Sequence, residues 1–134
     1  LKYGAPRIAC RLEGLRRKNL YYSLMFGGGA KFSSGEDSLF IMSLVKSGLK
    51  VYAYPEKIGT VSFYDNNSSW FKGFNEKYFM DKGILFYYMS EKHWKFLCLQ
   101  YVIRKRGLFR EYCSPRKAYK LMKQGVKKYK NGEL

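Results

Sequence analysis

Along residues 36–48 the apolar positions Leu39, Phe40, Met42, Leu44 and Val45 recur at spacings of three and four. That period predicts an amphipathic helix with a broad apolar face. Ser34 stands as its N-cap with Asp37 at the capping-box spacing, and Ser33 with Glu36 is the competing register. Gly48, just after Lys46, supplies the stop. Residues 115–129 predict another helix, with Ser114 as N-cap, Pro115 at the first helical position and Asn131-Gly132 as its end. Ala118, Leu121, Met122 and Val126 form its apolar stripe, and lysines with Arg116 cover the rest. Between these two, Trp70, Phe71, Phe74, Tyr78 and Phe79 predict a helical section capped by Ser68 or Ser69 and interrupted at Gly83. Leu85, Tyr88, Trp94, Leu97 and Tyr101 then predict one long helix, followed by a basic connection through Gly107 to Ser114.

Other stretches carry a strand pattern. Residues 7–12 (RIACRL) predict a short strand ended by a basic turn over 13–19. Residues 50–54 (KVYAY) predict a strand closed by Pro55, and 60–64 (TVSFY) a second closed by Asp65-Asn66-Asn67. Residues 20–26 are mostly apolar, and periodicity does not decide between a strand and a short buried helix. The order loop, helix, strand, strand is a unit of α/β folds. The expected class is therefore α/β, or α+β for a partial domain, with short strands and a helix-rich basic section after them. The expected division is 1–82 and 83–134. No internal repeat is present.

Composition narrows the class. The 134 residues suit one domain or the larger part of one, and a hydrophobic share of 46% argues against disorder. The formal charge of +16 implies attraction to polyanions: nucleic acid, an anionic membrane face or phosphate-bearing substrates. Cys10, Cys98 and Cys113 are odd in number and widely spaced, which speaks against a disulfide framework or zinc knuckle and for a reducing, cytoplasmic location. No run of 18 apolar residues suggests a membrane span, and no signal-peptide pattern is present. The chain begins at Leu1 rather than Met, so further residues are expected upstream.

Against this basic background, residues 26–40 (FGGGAKFSSGEDSLF) stand out. Gly27, Gly28 and Gly29 lead through an aromatic to Glu36-Asp37 at the predicted helix start. Glycine permits positive φ and close approach, and a carboxylate beside such a loop is placed to meet a ligand. The loop matches neither the dinucleotide fingerprint nor the phosphate-binding loop. Capping of the helix explains the acidic pair equally well; the chemical alternative is a carboxylate accepting a proton from a hydroxyl nucleophile.

Gly35-Glu36-Asp37, Phe40, Gly48, Lys50, Val51, Tyr54 and Pro55, followed by Ser68-Ser69-Trp70-Phe71, resemble in order and spacing the acceptor-side half of family 2 inverting glycosyltransferases. These are GT-A-fold enzymes of bacterial capsular, cell-wall and exopolysaccharide synthesis. The resemblance covers about residues 7–82. It implies a partial GT-A-like domain in which Asp37 is the catalytic base toward the acceptor hydroxyl and Glu36 orients it or binds the acceptor. It also implies that Gly27, Gly28 and Gly29 line the sugar pocket and that Trp70 is a stacking ring. The substrates implied are a nucleotide-sugar donor and a saccharide or lipid-linked acceptor. A divalent cation, Mg or Mn, is implied for the full enzyme. No D-x-D motif occurs in this sequence, and Thr60 and Ser62 stand where some related enzymes place a metal-ligating histidine. No metal ligand is therefore assigned to this chain, and the segment alone is expected to be inactive.

His93, the single histidine, is assigned to structure or surface. The helices of residues 84–130 either lie against the inner membrane face or pack as a helical subdomain with a solvated basic surface. A homodimer would cover apolar surface left by a missing half. Two other functions compete: a basic nucleic-acid-binding module, which lacks a recognisable motif, and a membrane-docking adaptor without catalysis.

Overall fold

The computed structural model describes residues 8–57, 59–60 and 73–134. Six helices occur among them: α1 Leu12–Arg17, α2 Glu36–Lys46, α3 Glu76–Met89, α4 Trp94–Arg104, α5 Arg106–Phe109 and α6 Pro115–Lys130. Helix accounts for 54% of the described residues and strand for 2%, with no sheet. Their one extended pairing is an isolated parallel bridge between Phe26 and Phe32. The expectation of an α/β, GT-A-like fold is thereby overturned.

The physical reason lies in pairing. A strand is stabilised by its neighbours, and residues 50–54 have none: Val51, Tyr52 and Tyr54 are exposed and the backbone is irregular. Residues 8–11 are also irregular, and the basic turn expected after them is α1. Its Glu13 in the first turn and Arg16 and Arg17 in the last match the helix dipole. Residues 20–26 form neither strand nor helix. The strand expected over 60–64 falls outside the described residues from 61 onward, as do Ser68, Ser69 and Trp70.

α6 follows the sequence closely. The Ser114 hydroxyl accepts the Lys117 N–H at 3.2 Å, Pro115 opens the first turn, and Gly132 at φ +71° follows the end. Ala118, Leu121, Met122 and Val126 are buried, together with Gly125. This face lies against α3, where the expected interruption at Gly83 does not occur. Gly83 sits inside α3 and is buried. A Cβ on Gly83 would come within 2.2 Å of the Met122 carbonyl oxygen, and one on Gly125 within 2.5 Å of the Met80 carbonyl oxygen. The two helices therefore cross backbone to backbone, each glycine admitting the other helix.

Around this crossing, Phe79, Cys98, Val102, Phe109, Cys113, Ala118, Leu121 and Met122 form the main core. Phe79 meets Phe109 edge-on at 5.2 Å, which brings α5 over the α3–α6 pair. The long helix expected from 85 to 101 is two helices. The Ser90 hydroxyl accepts the His93 N–H at 3.2 Å, so the chain turns there and α4 starts anew. α2 begins at Glu36 as expected, but neither serine caps it. Gly35 is its N-cap residue, at φ +124°, without a side-chain cap bond.

Burial in this core makes stability pH-dependent. The Cys98 thiol is pushed up to about 12 from its ordinary 9.0, chiefly by burial. Tyr78 and Tyr101, paired through their hydroxyls at 2.7 Å, are both raised, burial again being the main cause. A raised acid ionises first in the unfolded chain, so its contribution is complete below the unfolded value and is lost as pH rises through the folded one. Between pH 9.0 and about 12, Cys98 alone should remove stability on the order of 1 kcal/mol per pH unit. Urea melts from about pH 8 to 11 should show this slope, and Cys98→Ala should flatten it between about pH 9 and 10, below the range where Tyr78 and Tyr101 add to it, whatever offset the cavity adds.

Candidate functional site

Phe26 and Phe32 fix the glycine loop from both sides. They are buried, with ring centroids 5.0 Å apart, and cluster with Ile84 and Leu85 of α3. The Phe32 N–H donates to the Met25 carbonyl and the Gly27 N–H to the Phe32 carbonyl, each at 2.9 Å. Residues 28 and 29 are left as an exposed tip on a pinched base.

Three glycines in this region, Gly27, Gly29 and Gly35, have positive φ that other residues would strain, and two of them are also closely packed. Gly27, at φ +127°, sits where a Cβ would lie 3.3 Å from Glu36 Cδ. At Gly35, φ +124°, a Cβ would come within 2.5 Å of Leu85 Cδ1. Gly27 brings the loop against the Glu36 carboxylate, and Gly35 brings the start of α2 against α3. Glu36 Oε2 also accepts the Gly35 N–H at 2.9 Å. Glu36 thus holds the loop to the helix start.

A second carboxylate anchors the far side. Asp81 of α3 is 5% exposed; its Oδ2 accepts the Ser33 N–H at 3.0 Å and the Lys77 ammonium at 2.7 Å. Lys77 Nζ also donates to the Lys31 carbonyl at 3.1 Å. A charge-assisted cluster, buried at Asp81 and exposed at Lys77, therefore seats residues 31–33 on α3.

Asp37 is half-buried in the first turn of α2. Tyr22 lies over Phe40 of the same helix, with rings stacked at 4.1 Å and 14°. The Tyr22 hydroxyl is raised, first by burial and then by the charge of Asp37, Cys10 and Glu36. Lys82 of α3 is lowered by burial, with Glu36 and Asp81 acting in the other direction. The acidic pair therefore has a phenol and a cation within electrostatic reach.

Of the sequence-derived residues, the structure brings Gly27, Glu36 and Asp37 to one corner and leaves Gly28 and Gly29 at the tip. Trp70 lies outside the described residues. The acidic pair does not line either concavity. A 310 Å³ pocket is formed by Lys31, Phe32, Lys77, Met80, Asp81 and Leu134. A 480 Å³ groove is formed by Glu76, Arg116, Lys117, Lys120, Leu121 and Gln124.

The chain matches no protein-family model, no curated protein and no solved structure. Among the described residues no group of three or more His, Cys, Asp or Glu side chains is placed to hold a metal. The described residues therefore supply no ligand set for the divalent cation that the resemblance implies.

Sequence reading missed Asp81, Lys77, Lys82 and Tyr22. Asp81 and Lys82 had a signal, being charges set directly before Gly83-Ile84-Leu85 in an otherwise apolar helical run. A buried Asp is rare without a partner, and here its partners are a loop amide and a lysine one turn earlier. The sequence marked Tyr22 in no comparable way.

Proposed function

We propose that residues 22–37 form the acceptor side of a sugar-transfer site, with Asp37 as general base. In this reading the Asp37 carboxylate takes the proton of a saccharide hydroxyl. That oxygen bonds to the anomeric carbon of a nucleotide sugar, the carbon–oxygen bond to the diphosphate breaks, and the electron pair leaves on the nucleoside diphosphate with inversion at carbon. The single observation that carries the reading is a carboxylate pair set against a pinned glycine loop. Glu36 accepts the Gly35 N–H and lies against Gly27, and Asp37 follows it in the first turn of α2, its charge helping to raise the Tyr22 phenol. A fixed loop next to a carboxylate of this kind favours a preorganised hydroxyl acceptor site. The proposal concerns the acceptor side alone, and a saccharide or lipid-linked acceptor satisfies it equally.

The test is a ¹⁵N-resolved NMR titration of the chain with a panel of oligosaccharides at millimolar concentration. Shifts are expected at the amides of Gly27, Gly28, Gly29, Glu36 and Asp37. A silent loop, with a single-stranded oligonucleotide instead shifting Arg116, Lys117 and Lys120, would replace the reading by a nucleic-acid-binding one.

A further inference from the structure

We infer that the outer face of α4 docks on an anionic bilayer surface, with the helix lying in the interfacial plane. α4 carries two apolar faces. Cys98 and Val102 are buried, and Trp94 and Tyr101 pack on the same core. On the opposite side Phe96, Leu99 and Ile103 are 64%, 44% and 58% exposed. Their spacing of three and four places them on one stripe. Leu108, in α5 just after it, is 63% exposed. A globular helix needs only the first of these faces, so the second is unexplained by the fold.

Charge identifies the occupant. Lys92, Lys95, Arg104, Lys105, Arg106 and Arg110, on α4 or within a few residues of its ends along the chain, are all exposed, against Glu91 and Glu111 in the same stretch. Neither ion pair among the described residues, Lys77–Asp81 or Lys117–Glu76, uses any of these six cations. Apolar side chains at the centre with long cationic arms beside them match the acyl boundary and phosphate layer of a membrane leaflet. A second copy of the chain would bring the same cations, and a total charge of +16, against its own kind. No helix among the described residues is long and apolar enough to cross a membrane, so the contact is one of surface.

The experiment is co-sedimentation of the chain with vesicles of phosphatidylcholine, alone or with about one-third phosphatidylglycerol. Binding is expected to the anionic vesicles, to fall steeply with salt, and to weaken roughly tenfold or more in Phe96→Ser/Ile103→Ser. Both positions are exposed, so circular dichroism of the variant should be unchanged. Absence of binding to anionic vesicles overturns the inference. So does binding that the double variant leaves intact, which would be adsorption of a polycation. A dimer seen by sedimentation equilibrium and broken by the same variant would give the face to a second copy instead. None of these outcomes touches residues 22–37, so the acceptor-site reading stands or falls separately.

Discussion

Gly83→Ala and Gly125→Ala should each lower the melting temperature by roughly 10 °C or more, an effect of about 3 kcal/mol. Two opposing contributions set the sign. Alanine is the better helix former by about 1 kcal/mol, which alone would stabilise α3 or α6. Against it stands a Cβ placed 2.2 Å from the Met122 carbonyl oxygen or 2.5 Å from that of Met80. Those contacts are with backbone, so no side-chain rotation relieves them and the helices must separate. Separation opens gaps around Phe79, Ala118 and Met122, all of which are completely buried. The clash should win. Because one outward shift of α6 relieves both contacts, the double variant should cost less than the sum of the singles. Gly107→Ala is the control: its Cβ would meet nothing within 4 Å, and the change should raise stability by several tenths of a kcal/mol. Thermal and urea melts of the four variants read all of this. A Gly83→Ala melt equal to that of the parent would mean that α3 and α6 do not cross this closely.

The same glycines show where sequence reading stops. Gly83 looks like a helix break because propensity is a property of one segment. Its use is set by Gly125, which lies on another helix and provides the matching gap. The helix over 115–130 was legible because cap, proline, stripe and stop all lie within it. So was the helix opening at Glu36, though not its cap. The N–H of Ser33 goes to Asp81, 48 positions away, and the N–H of Gly35 goes to the Glu36 carboxylate. Strand alternation at 50–54 was real as a pattern and empty as a structure, since no partner strand exists among the described residues to complete it. At the candidate site the glycine loop and the acidic pair were legible as features. Which carboxylate holds the loop was not, because that depends on the positive φ of Gly27 bringing backbone against Glu36.

That distinction gives the second prediction. Under the proposed acceptor-site function, Asp37→Asn should lower sugar transfer by the protein that carries this segment by roughly 10²- to 10⁴-fold. The amide keeps the size of the side chain and removes its ability to take a proton, so kcat should fall with KM little changed. The structural cost should be small by comparison. Asp37 lies in the first turn of α2, where losing a negative charge costs about 0.3–1 kcal/mol, or a few degrees in Tm. Glu36→Gln should behave differently. Its amide oxygen can still accept the Gly35 N–H, so the loop holds and transfer falls much less. Glu36→Ala removes that acceptor, and both activity and Tm should drop as the loop loosens. The contrast between the two positions is the readout: one loses rate while keeping its fold, the other loses both together. Near-normal turnover by Asp37→Asn, with Glu36→Ala impaired only in stability, would reduce the acidic pair to a device for starting α2 and seating the loop on α3.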